Sequence, residues 1–121
     1  MAGLGVVMSG FVSVPSRRGA GVVARAGADG VIWAWRALPG GAGWSPAPAC
    51  LFVPCSCFPS AAALARRAAS LGWRAWVRRG TAGSPVWGAC GLPVPAFVAK
   101  VALPAGTSAA AARAALGVGV A

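Results

Sequence analysis

Short apolar runs punctuated by Gly and Pro set the rhythm of this chain, and their spacing alternates more often than it follows a helical period. The run LGVVMSGFVSV from Leu4 to Val14 is rich in β-branched residues and stops at Pro15, which predicts a strand weakened by Gly10. Ser16-Arg17-Arg18-Gly19 reads as a basic turn, and Ala20 to Arg25 as a second strand. Ala28-Asp29-Gly30 is a hairpin signal, because Asp-Gly accommodates the positive φ of a type I′ turn; Asp29 is thus read as a turn residue. In the third strand, Val31 to Leu38, alternation places Val31, Trp33, Trp35 and Ala37 on one face and Ile32, Ala34, Arg36 and Leu38 on the other.

The segment PGGAGWSPAP, Pro39 to Pro48, separates this meander from the rest of the chain and reads as a loop. Ala49 to Val53 is a short apolar strand. Ser60 then stands as N-cap to the helix AAALARRAASLG, with Leu64, Ala68 and Leu71 as its apolar line and Gly72 as its C-cap. Trp73 to Arg79 fits a strand better than continued helix, with Trp73, Ala75 and Val77 on one face and Arg74, Trp76 and Arg78 on the other. Weaker signals give a strand near Val86 to Ala89, another from Ala96 to Leu103, and a helix capped by Thr107 or Ser108 that runs to Leu116 and stops at Gly117. The sum is an α+β chain, a β meander over 1–38, a Gly/Pro loop over 39–48 and an αββα-like tail over 49–121, which at 121 residues fits a single small domain.

Composition narrows the chemistry. The chain has no His, Glu, Gln, Asn or Tyr, and Asp29 is its one acidic residue. Paired-carboxylate hydrolysis, a Ser/His/Asp triad, a His metal site and a carboxylate calcium or magnesium site all lack their parts, which argues against an enzyme. The missing residues share adenine at the middle codon position, and GC-rich DNA by itself leaves Glu, Asp, Gln and His codons available. This points to an unusual coding history, either a frame overlapping another gene or a compositionally biased replicon such as a phage or plasmid. A coding region with no overlapping gene in an ordinary host background would overturn that reading.

Charge brings in a partner. Eleven basic residues against one acid give +10, and all but Lys100 are Arg, so the excess cannot be neutralised within the chain. Nucleic acid and an anionic lipid surface are the two usual polyanions, and the bidentate fork of Arg favours phosphate. The competing explanation is that Arg follows GC-rich codons. The uncharged stretches Ala37 to Ala65 and Gly80 to Ala99 reach membrane length but are broken by eight prolines between them, and residues 1–16 lack the charge of a secretory leader. Neither membrane insertion nor export is expected from them, which points to a cytoplasmic protein.

The candidate binding set is Arg66, Arg67, Arg74, Trp76, Arg78 and Arg79, where guanidinium groups for phosphates interleave with an indole on which any base can stack. The competing reading is a solvated Arg face with Trp76 covering a gap in the core. Trp33 and Trp35 offer either a second platform or core. A helix-turn-helix alignment over SAAALARRAASLGWRAWVRRG puts Arg67 and Arg78 where apolar residues are required. Cys50, Cys55, Cys57 and Cys90 are spaced C-x4-C-x-C-x32-C, one residue short of a plant-type ferredoxin pattern, and could hold metal, form a disulfide or remain free thiols, the last being the expectation. No cofactor is expected. The sequence thus points to a non-enzymatic, sequence-tolerant binder of nucleic acid, single-stranded for preference, with an anionic membrane surface, a virion or assembly role, or an overlapping-frame product without selected function as the alternatives.

Overall fold

The computed structural model describes residues 12–14, 22–27, 29–36, 43–80 and 85–118. Among these residues nine elements run in chain order: β1 (Val12–Val14), β2 (Val22–Ala26), β3 (Ile32–Arg36), β4 (Cys50–Cys55), α1 (Phe58–Ser70), β5 (Ala75–Arg79), α2 (Pro85–Ala89), β6 (Phe97–Ala102) and α3 (Ala109–Leu116). The strands make one six-stranded sheet in the order β1-β2-β3-β4-β6-β5, and every neighbouring pair is antiparallel. The chain is α+β, as its sequence pattern predicts. No helix among the described residues is long and apolar enough to cross a membrane.

Both sheet faces are covered, but unequally. On one, Val31, Trp33, Leu51, Val53, Ala99 and Val101 pack with Ala61 and Ala68 of α1 and Ala112 and Leu116 of α3. On the other, Ala24, Ile32 and Val98 meet Val86 and Trp87 of α2. This explains why β3 is buried on both sides although its sequence alternates, and it makes Trp33 a core residue, 4% exposed, rather than a platform. Trp35 is partly buried against the same helix-side core.

Helix boundaries follow local chemistry. Cys57, in extended backbone, is the N-cap of α1, not Ser60; Pro59 occupies the first turn, where its missing N–H costs nothing, and Ser60 lies inside the helix. The other end is a Schellman cap: the Trp73 N–H donates to Ala68 O, the Gly72 N–H donates to Ala69 O, and Gly72 takes φ 82°. Leu71 is 43% exposed, so the buried line of α1 is Ala61 and Ala68, with Leu64 packed beside them. In α3, Ser108 rather than Thr107 is the cap, its Oγ accepting from the Ala111 N–H at 3.1 Å, and Gly117 at φ 69° ends the helix.

Two readings change. The segment from Val86 to Ala89 is helix, not strand: Pro85 opens it with a pre-set φ, and Val86 and Trp87 bury into the sheet face as the β5–β6 connection crosses it. The tail is therefore β4-α1-β5-α2-β6-α3 rather than αββα. The β2–β3 hairpin closes by Gly27 N–H to Val31 O and Gly30 N–H to Gly27 O, a three-residue loop with Gly30 at φ 82°, not a two-residue type I′ turn. The expected strand residues before Val12, the basic turn at 16–19, residues 20 and 21 of the second strand, the end of the third strand at 37 and 38, and the loop at 39–42 lie outside the described residues.

Asp29 does more than turn the chain. Its Oδ1 accepts from the Val31 N–H at 3.1 Å and its Oδ2 accepts from Arg113 Nη1 at 3.1 Å, while the Arg113 guanidinium lies 5.0 Å from the centroid of the Trp33 ring. The one carboxylate thus fastens the hairpin to α3. Arg67 acts similarly, donating to Leu116 O at 3.3 Å from the end of α1.

Two glycines separate packing from flexibility. A Cβ on buried Gly80 would collide with the carbonyl of Pro95, whereas one on Gly88, in α2, would meet nothing within 4 Å. In urea unfolding, Gly80→Ala is expected to lose about 1–3 kcal/mol through overpacking. Gly88→Ala is expected to gain about 0.5–1 kcal/mol by removing backbone freedom from the unfolded chain. Equal effects of the two substitutions would contradict the close approach of Pro95 to Gly80 where the chain enters β6.

Candidate nucleic-acid interface

The register of the last three strands decides which side chains share a surface. Phe52 on β4 pairs with Lys100 on β6, and Lys100 pairs with Trp76 on β5; the next row is Pro54, Val98 and Arg78. Since Ala99 and Val101 face α1 and α3, Lys100 and its partners in this row must face the other way. At one end of that face α2 covers Val98, but toward Arg74 the strip Phe52–Lys100–Trp76 is only partly covered.

The groups on this strip are mutually close. The Lys100 ammonium lies 5.5 Å from the Phe52 ring centroid and 5.7 Å from that of Trp76, and the Arg74 guanidinium also lies 5.5 Å from the Trp76 ring. Such cation–π contacts hold an indole in a fixed orientation. Arg78, two residues along β5 and exposed, extends the cationic edge. Cys50 sits one step back on the same face of β4: burial pushes its thiol up, while Lys100 and Arg36 pull it part of the way down.

The six-residue set proposed from sequence is therefore divided by the fold. Arg74, Trp76 and Arg78 share the strip. Arg79 has the parity of Val77 and lies on the helix side, lining a cleft with Phe58, Val77, Arg78 and Phe97, and Arg66 and Arg67 belong to the helix that covers that opposite side. Arg67 is committed to the C-terminal carbonyl of α3. Phe52 and Lys100 are the members that sequence reasoning missed. Strand alternation around Lys100 could have placed it opposite Ala99 and Val101, but only the pairing of β6 with both β4 and β5 brings it between the two rings.

The cysteines are free thiols, and no three His, Cys, Asp or Glu side chains among the described residues gather as a metal site. Their environments differ. Burial raises the thiols of Cys55 and Cys90, whereas Cys57, exposed at the start of α1, is lowered first by the Ser60 hydroxyl, 3.1 Å from its Sγ, and then by the Ser60 N–H.

No protein-family model matches the chain, and comparison with curated proteins and with solved structures finds no significant match. The site is thus read from its own geometry.

The thiol environments give an ordered expectation. Because the thiolate is the reacting form, iodoacetamide at neutral pH should label Cys57 ahead of Cys50, Cys55 and Cys90, with a rate–pH midpoint below that of a free thiol. Ser60→Ala should move the Cys57 midpoint upward. Mass mapping that finds Cys50 labelled first would contradict the placement of that thiol within the sheet.

Proposed function

We propose that this protein is a non-enzymatic, sequence-tolerant binder of single-stranded nucleic acid, using the strip Phe52, Arg74, Trp76, Arg78 and Lys100. The observation that carries the reading is a half-buried indole with two cations over its ring, on a strip of the sheet that α2 covers only in part, with a third cation beside it. Guanidinium and ammonium groups take phosphate, and each aromatic face takes a base of any identity. No carboxylate competes, because the sole one is bonded to Arg113 elsewhere.

Strand geometry favours a single strand over a duplex. Phe52 and Trp76 are two strands apart across β6, about 9.6 Å at the usual strand spacing. Stacked bases in a duplex rise about 3.4 Å and keep their faces against one another, so neither ring could reach one. A strand with splayed bases can offer one base to each ring and a phosphate to Lys100 between them.

Tryptophan fluorescence titrated with a single-stranded oligonucleotide tests this. Quenching should weaken with salt, each phosphate contact adding about 0.7 to the log–log slope for a single strand, so Arg74→Ala with Arg78→Ala should flatten it by about 1.4. Trp76→Ala should cost about 1–3 kcal/mol of affinity, the range for one stacked base. Arg66→Ala, on the opposite side of the sheet, should change neither. An unaltered slope in the double variant removes this strip from the interface.

A further inference from the structure

The outer edge of β5 presents backbone groups in a known phase. Ala102 N–H donates to Arg74 O, and Gly80 N–H donates to Ala96 O, which makes 74↔102 and 80↔96 hydrogen-bonded pairs of the antiparallel ladder. In such a ladder these pairs alternate with pairs whose N–H and C=O turn away. The even residues Trp76 and Arg78 therefore bond to β6, and Ala75, Val77 and Arg79 direct their N–H and C=O outward. β5 is the last strand of the sheet, and among the described residues none pairs with that side.

Beside this edge lies a cleft of about 390 Å³ lined by Phe58, Val77, Arg78, Arg79 and Phe97. Phe58 meets Phe97 edge-on, with centroids 5.9 Å apart, yet remains 54% exposed. A strand added here would have its backbone satisfied by the three odd residues. Its side chains opposite Val77 would enter the apolar cleft, and those opposite Arg78 and next to Arg74 would lie on the cationic side.

We propose that the β5 edge takes up an extended acidic peptide by strand addition, one that alternates apolar and acidic residues. The alternation follows from the strand period of two, the apolar half from Phe58, Val77 and Phe97, and the acidic half from Arg74 and Arg78. Charge selects against a second copy of this chain as the occupant. Pairing β5 with itself would bring Arg74, Arg78 and Arg79 of both copies together, in a protein of net charge +10 that has one carboxylate. The site shares Arg74 and Arg78 with the nucleic-acid strip but uses edge backbone groups rather than the face of Trp76, so protection of the edge amides tells the two readings apart.

The probe is a blocked six-residue peptide of alternating Val and Glu, followed by amide hydrogen exchange and NMR shifts on the full chain. Saturable binding should slow exchange at Ala75, Val77 and Arg79, the outward N–H groups, and leave Trp76 and Arg78 unchanged. A peptide of the same composition written as three Val then three Glu should bind about tenfold more weakly or worse, since it cannot place both halves at once. Val77→Pro removes an outward N–H without touching a β6 bond and should abolish binding while far-UV circular dichroism stays native.

If that variant fails to fold, the protein can be left intact and the peptide N-methylated on alternate residues. One phase should lose binding by about tenfold or more and the other should keep it. Equal loss in both phases, equal binding of the blocked-order peptide, or protection of Val77 by protein concentration alone would overturn strand addition by an acidic peptide. Displacement of the peptide by oligonucleotide with no protection at Val77 would likewise reduce it to charge attraction.

Discussion

Six residue pairs between β4 and β6 hold the two halves of the molecule together, and their register fixes what every surface contains. Leu51 opposite Val101 and Val53 opposite Ala99 send four apolar side chains under α1 and α3, while Phe52 opposite Lys100 faces the other way. A shift of β6 by one residue would turn Ala99 and Val101 away from the helix-side core and place the Lys100 ammonium beneath α1 and α3. Burying an unpaired ammonium costs far more than a buried methylene gains, so the alternative register is closed. Because β6 also pairs with β5, the same choice orients Trp76 and Arg78.

Scarcity of carboxylate shapes the rest. The described core contains no buried charged residue, and the +10 excess is held at the surface. Two arginines are tied inward by the acceptors that exist: Arg113 by Asp29, and Arg67 by the carbonyl of Leu116 at the C-terminus of α3, where helix polarity favours a cation. Both bonds join α3 to parts of the chain distant in sequence. With so few side-chain acceptors, much of the remaining positive charge meets aromatic rings and solvent, and Trp76 between Arg74 and Lys100 is the clearest case.

How far the elements could be read ahead of the structure varied with the kind of signal. Alternation correctly separated Trp73, Ala75 and Val77 from Arg74, Trp76 and Arg78, because a two-residue period survives in a short strand. Gly72 and Gly117 were legible as helix ends, since a left-handed residue there favours glycine. The α1 start was misplaced at Ser60, where a hydroxyl suggested a cap but Pro59 already sat in the first turn. Val86 to Ala89 is read differently for another reason: a four-residue segment, Val-Trp-Gly-Ala, after a Pro has no period of its own, and the sheet face that Val86 and Trp87 cover decides for helix.

The sequence by itself determined the fold class, the faces of β3 and β5, the cationic excess and the scarcity of carboxylates, because each depends on residue identity or on neighbours a few positions apart. Only the tertiary structure decided which arginines share a surface. Arg66, Arg67 and Arg79 lie within thirteen residues of Arg74 and Arg78 yet face the opposite side of the sheet, whereas Lys100 and Phe52, about two dozen residues away on either side of Trp76, join it. Likewise, nothing local to Asp29 names Arg113 as its partner. Strand order and register are set by non-local burial of both faces at once, and a short chain segment carries no record of what lies across a ladder from it.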